Sequence, residues 1–324
     1  MEDRHGWHSQ DWQTRTVIVV ACPGQGSQTP GVLAPWLEDS TSRDLVASYS
    51  EVAGVDLVKH GTESDAETIR DTALAQPLIV AASLLALRAL RATAPDAVIG
   101  GIAGHSVGEA AAAAGAGILS ETDALRFVRA RALLMAEAAA AAPTGMSAVL
   151  GGDQDAVVEY ISGFGLEPAN YNGGGQIVVA GDLDALARLG EEPLRGTRVV
   201  PLQVAGAFHT RYMQSARDGL AEETAGFAAQ DPTLTIWTNR DGSAVDSGSE
   251  FLELMVGQVA SPVRWDLCMA SFEQEGITGL IELTPGGALT GLAKRGLKGV
   301  PAVAIKTPDD LPAAVELLNA GSDA

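Results

Sequence analysis

Residues 16–22 read TVIVVAC, an unbroken apolar and β-branched run that stops at Pro23-Gly24. A run buried on both faces predicts a strand within a parallel sheet, and the glycine-rich loop GQGSQTPG follows at once. Residues 73–93 are rich in Ala and Leu at helical spacing, with Pro77 suited to the first turn, and predict a buried helix. Residues 97–103 (AVIGGIA) predict a short strand; after the turn that follows, alanines and Glu109 favour helix. A second strong helix is predicted over 123–142, opened by Ser120 with Asp123 as a capping-box-like pair and closed by Pro143-Thr144-Gly145.

The rhythm changes between about 144 and 205. Short strands (MSAVLG, QIVVAG, RVVPLQV) alternate with helical stretches (DQDAVVEYISGFG, DLDALARLGEE) in a β-α-β-β-α-β order, the ferredoxin-like pattern. After Phe208-His209-Thr210 a helix, the strand LTIWTN and further α/β elements resume, with 281–283 a late sheet strand. The expected division is a polar extension over 1–15, a large α/β unit over 16–143 and 206–312, an inserted small unit over 144–205, and a tail over 313–324. No repeat at a period of 20 to 50 residues is visible.

Composition narrows the function. The chain has 324 residues, 46% of them hydrophobic, enough for a sizeable core in one or two domains. Its formal net charge of −20 argues against broad nucleic-acid binding, which needs a basic face. Cys22 and Cys268 are far apart and form no CxxC or Cys/His cluster, so neither disulfide nor metal site is expected, and a reducing cytoplasm is the natural compartment. The first 15 residues lack the apolar core of a secretory signal, and no run reaches the roughly 18 apolar residues of a membrane span.

The chemistry centres on Gly104-His105-Ser106-Val107-Gly108, which matches G-x-S-x-G between a predicted strand and a predicted helix. In a nucleophile elbow such a turn pushes a strained serine out at the strand end, and the next helix offers free N–H groups to an oxyanion. A plain glycine-rich turn with Ser106 as a helix cap is the competing reading. A serine nucleophile needs a base, most often histidine. His5 and His8 lie in the polar extension, His60 sits at a helix end, and His105 adjoins the serine, where packing or shaping the elbow is its expected role. His209 is the best candidate base.

From near Val17 to about Thr307 the chain resembles the malonyl-CoA:acyl carrier protein transacylases, within the acyltransferase family of fatty-acid and polyketide synthases. The resemblance rests on ordered, separated motifs: PGQGSQ at 23–28, AQP at 75–77, GHSVGE at 104–109, RARALLM at 129–135, NYNGGGQIVV at 170–179 and GAFHT at 206–210. Gln258, SPVRW at 261–265, and ELTPG at 282–286 with LTGL at 289–292 complete it. Ala132 departs from the glycine often found after the family's arginine.

The resemblance implies a fold: a large α/β-hydrolase-like subdomain with a parallel sheet and nucleophile elbow, plus an inserted ferredoxin-like subdomain. It also implies a mechanism. His209 would deprotonate Ser106, the backbone N–H groups of Gln25 and Val107 would hold the oxyanion, and a main-chain carbonyl at Gln258 would orient His209, giving a Ser–His dyad without a catalytic carboxylate. Arg131 would bind the malonyl carboxylate, although a solvated helix arginine is the alternative from sequence alone. Phe208 matches the malonyl-selective form of its segment, where methylmalonyl-selective members carry a small residue.

The substrates implied are malonyl-CoA and a phosphopantetheine-bearing acyl carrier protein, with no bound cofactor, and a monomer is expected. Because coenzyme A and carrier proteins are acidic, docking needs a local positive area. Lys294, Arg295 and Lys298 are candidates, against a bland role at a helix C-terminus. Fatty-acid biosynthesis is the expected pathway, with polyketide synthesis, a serine esterase or thioesterase, and a non-catalytic scaffold as alternatives.

Overall fold

The computed structural model describes residues 17–320. The extension expected over 1–15 lies outside them. In chain order the strands are β1 (Ile18–Cys22), β2 (Gly101–Gly104), β3 (Thr144–Leu150), β4 (Glu167–Gly173), β5 (Gln176–Asp182), β6 (Arg198–Pro201), β7 (Thr235–Trp237), β8 (Gly279–Glu282) and β9 (Ala302–Ala304). Five of them form a parallel sheet in the order β7-β2-β1-β8-β9. The central strand β1 is buried along its whole length, which is why its sequence is apolar without alternation.

The buried helix spans Thr72–Thr93, with the Asp71 carboxylate accepting from the Ala73 N–H as its N-cap. Pro77 therefore lies in the second turn rather than the first, and the Ala73 carbonyl loses a helical donor there. The helix is long and apolar enough to cross a membrane, yet most of it is buried in the protein core. β2 begins at Gly101, later than expected from AVIGGIA; Val98 is exposed and only 101–104 pair with β1. Ser120 caps the helix Glu121–Ala140 by accepting from the Asp123 N–H, which starts it two residues before the predicted 123.

The other four strands form an antiparallel sheet, β4-β5-β3-β6, with the helices Gln154–Ser162 and Leu183–Glu191 in the β-α-β-β-α-β order. Asp153 and Asp182 cap those helices, each accepting from two backbone N–H groups. Edge strand β4 is tied to the segment after the helix Gly248–Gln258: the Tyr171 N–H donates to the Val263 carbonyl at 2.8 Å, and the Val263 N–H to Ala169 at 2.9 Å. The small sheet thus forms one wall above the large sheet's carboxyl ends. Within the stretch expected as a tail over 313–324, residues up to 319 belong to the helix Leu311–Asn319, whose Ala314 and Leu318 are buried.

Candidate active site

β1 and β2 run side by side to Cys22 and Gly104, and the chain then turns sharply into the helix Gly108–Gly115. A Cβ on Gly104 would sit 2.1 Å from the Gly108 and Glu109 backbone, and one on Gly108 would sit 2.1 Å from the Cys22 carbonyl oxygen. The two elbow glycines therefore serve close backbone approach. The strain falls on the serine itself, at φ 54°, a left-handed conformation costly for any residue with a Cβ. His209, at φ 63°, is the other non-glycine residue with positive φ among the described residues.

These two strained residues meet. Ser106 Oγ lies 2.7 Å from His209 Nε2, and His209 Nδ1 lies 2.8 Å from the Gln258 carbonyl oxygen. A carbonyl only accepts, so Nδ1 carries the proton and Nε2 presents its lone pair to the hydroxyl. Burial, with Arg131 adding to it, lowers the His209 pKa to about 3, so the ring is neutral at physiological pH. A neutral carbonyl thus selects the tautomer that an acidic triad member would otherwise select.

Arg131 projects inward from the helix Glu121–Ala140 and is buried. Its guanidinium donates to Gln76 Oε1 (2.7 Å), Gln258 Oε1 (3.0 Å) and Ser106 Oγ (3.2 Å). A helix arginine in this setting is not a solvated one. Burial lowers its pKa to about 10 while the Glu109 charge opposes that shift, and it stays cationic. Two further buried residues hold the elbow. Asn239, just after β7, accepts from the Ser106 N–H and donates to the Gly104 carbonyl; Glu109 accepts from the Asn239 N–H and from the Gln258 side chain.

A cleft of about 460 Å³ opens over Ser106 between the two sheets. Gln25, Phe208, His209 and Arg295 are among its lining, and Val107 is buried at the start of the helix behind the serine. His105 is half-buried, with Nε2 2.9 Å from Asn172 Oδ1 and its ring edge-on to Trp265. It links the elbow to β4. His60 instead contacts Ser64, while His5 and His8 fall outside the described residues. Lys294 and Arg295 are exposed on the last turn of the helix Ala288–Gly296, and Arg295 reaches the cleft mouth, donating to Gln176 Oε1 at 3.2 Å. Lys298, two residues beyond that helix, is also exposed. Both cysteines are buried and unpaired, and among the described residues no cluster of three or more His, Cys, Asp or Glu could hold a metal ion.

Glu109 and Asn239 escaped the sequence reading. Glu109 stood there as a helix former and as the last residue of GHSVGE, with no role of its own; a carboxylate three residues after the elbow serine, on a helix otherwise made of small apolar residues, was the available signal. Asn239 carried none beyond ending an apolar strand.

A strained serine, a neutral histidine within hydrogen-bond reach and a buried guanidinium beside both, set at the carboxyl ends of a parallel sheet, define a serine acyl-transfer enzyme. Residues 19–310 match the acyl transferase domain family, and the chain belongs to it. A Mycobacterium tuberculosis protein (strain ATCC 25618 / H37Rv) named malonyl CoA-acyl carrier protein transacylase is 48% identical over 299 residues, covering 91% of this chain and 98% of that one. The crystal structure of MCAT from Mycobacterium tuberculosis superposes with a TM-score of 0.89 at 48% identity, covering 94% of this chain and all (100%) of the other. A malonyl-transacylase solved in complex with its type II PKS acyl-carrier protein has a TM-score of 0.88 at 29% identity, covering 93% and 99% of the two chains.

Proposed function

We propose that this enzyme transfers the malonyl group of malonyl-CoA to the phosphopantetheine thiol of an acyl carrier protein, by ping-pong chemistry through a malonyl ester on Ser106. His209 Nε2 takes the Ser106 proton as Oγ attacks the thioester carbonyl. The backbone N–H groups of Gln25 and Val107 hold the oxyanion, and coenzyme A leaves with the proton returned from His209. The carrier's thiol then attacks the ester by the same steps in reverse. The Gln258 carbonyl keeps the His209 ring in its productive tautomer throughout.

The observation that carries the malonyl reading is Arg131, a buried guanidinium 3.2 Å from the nucleophile's oxygen, in the position where an acyl group with a free carboxylate would need a cation. Phe208 narrows the space beside the malonyl C2. Arg295 at the cleft mouth and the neighbouring exposed Lys294 dock the acidic carrier. We place the reaction in fatty-acid biosynthesis and in the cytoplasm, with the enzyme acting as a monomer and holding no cofactor; two buried thiols and a long apolar helix enclosed in the core suit that compartment. A polyketide role is the second reading, favoured by the similarity to the malonyl-transacylase solved with a type II PKS carrier. Comparing transfer rates to a fatty-acid carrier and a polyketide carrier decides between the two.

Arg131→Ala tests the substrate assignment. It is expected to slow loading of Ser106 from malonyl-CoA at least about tenfold more than loading from acetyl-CoA, the charge-assisted hydrogen bonds being lost only with the first donor. Equal losses would refute a carboxylate-binding Arg131.

A further inference from the structure

The Arg131 guanidinium has three hydrogen-bond partners, all neutral: Gln76, Gln258 and Ser106. Among the described residues no ion pair includes it. A cation only 2% exposed needs compensating charge nearby. Glu109, equally buried at 2%, is the carboxylate in reach of it. The two are joined through one side chain: Gln258 Oε1 accepts from Arg131, and Gln258 Nε2 donates to Glu109. That amide lies with its oxygen toward the cation and its nitrogen toward the anion, the orientation both charges favour. The same Nε2 also lies 3.1 Å from Asn239 Oδ1 and 3.2 Å from the Ser106 carbonyl.

We propose that Glu109 is the resident counter-charge of Arg131, and that it sets how tightly the site holds a malonyl carboxylate relative to an uncharged acyl group. The inference rests on Arg131 being the malonyl-carboxylate partner. Once Glu109 is ionised, the buried site without substrate holds one cation and one anion. An acetyl group leaves that balance unchanged, whereas a malonyl group brings a second carboxylate to the same guanidinium. Glu109 then opposes the substrate unless it takes up a proton.

The groups that face Glu109 leave it as the one that titrates in the relevant range. Arg131, on the helix Glu121–Ala140, stays cationic. His209, beyond Arg131, is neutral; Cys268, which reaches Asn239 from the helix Trp265–Gln274, is pushed far up by burial and stays a thiol. Burial pushes Glu109 itself up to about 8, with the Asn239 N–H, Arg131 and Gln258 opposing the shift. A bound malonyl carboxylate raises it further, so malonyl binding takes up a proton. The sign follows: malonyl preference is complete below the free-enzyme value and falls as pH rises through it, by at most about tenfold per pH unit.

The test measures initial loading of Ser106 from malonyl-CoA and from acetyl-CoA, for wild type, Glu109→Gln and Arg131→Ala, between about pH 7 and about pH 9. In the wild type the malonyl-to-acetyl ratio should fall several-fold across that range, the acetyl arm cancelling effects on His209 and Ser106 chemistry. In Glu109→Gln the ratio should be flat, and above the wild-type ratio at the alkaline end. A wild-type ratio that does not change with pH overturns the proposal, even if the variant fails to fold. So does a Glu109→Gln enzyme with the wild-type pH dependence, or one slowed equally with both donors at every pH, as a purely structural role requires. Arg131→Ala separates the two levels: if it affects both donors alike, the Arg131 assignment fails; if it selectively loses malonyl while the ratio is pH-independent, only the counter-charge fails.

Discussion

Ser106 and His209 are both held in left-handed backbone conformations that cost free energy, and each is held there by packed neighbours rather than by its own preference. Asn239 grips the elbow on both sides of the serine, from the Ser106 N–H to the Gly104 carbonyl. Gly108 is where that packing is least forgiving, because a Cβ there meets main chain, which has no rotamer in which to retreat. Gly108→Ala is expected to destabilise the protein by about 3 kcal/mol and to slow Ser106 loading with every donor, as read from urea unfolding and single-turnover loading. An unchanged urea midpoint would show that the elbow yields more easily than its geometry implies. Ser106 was legible in the sequence because its context is local, a strand, a five-residue turn and a helix. His209 needed elimination among five histidines and then the resemblance. Glu109 and Gln76 stood in GHSVGE and AQP without roles of their own, and Asn239 in no motif, because the contacts that give them roles form only where separate segments of the chain converge.

At the scale of elements, burial and strand pairing leave different marks in the sequence. β1 reads as a buried strand because each of its residues is covered on both sides, so burial is written in every position. The run at 97–103 misled because Val98 and its neighbours are apolar without being paired; only the last part reaches β1. Pro77 misled in another way. The residue favours a first turn, but the Asp71 cap sets the start of the helix, and the buried packing of the following turns outweighs one missing hydrogen bond. The β-α-β-β-α-β order was readable from alternation, whereas the tie of β4 to Val263 was not, since main-chain bonds between distant segments leave no mark in side-chain pattern.

For the whole molecule, the arrangement places a neutral dyad on the floor of a cleft between two sheets, with Arg131 and Glu109 buried behind it and Arg295 at the rim beside the exposed Lys294, in an otherwise strongly acidic protein of net charge −20. Such a rim is the local exception that an acidic partner requires. Reversing Lys294 and Arg295 to Glu should weaken transfer to the carrier protein about tenfold or more through its KM and leave loading from malonyl-CoA nearly unchanged. If both half-reactions weaken alike, or neither does, the rim is not a carrier-docking surface. The central claim is an acyl-enzyme that hands its malonyl group to a thiol. Intact-mass measurement after mixing with malonyl-CoA tests it most directly: the account predicts one malonyl adduct that is absent in Ser106→Ala, persists in buffer, and disappears when the carrier protein is added as the carrier gains the same mass. An adduct lost rapidly to water without carrier, or one that survives in Ser106→Ala, would contradict it.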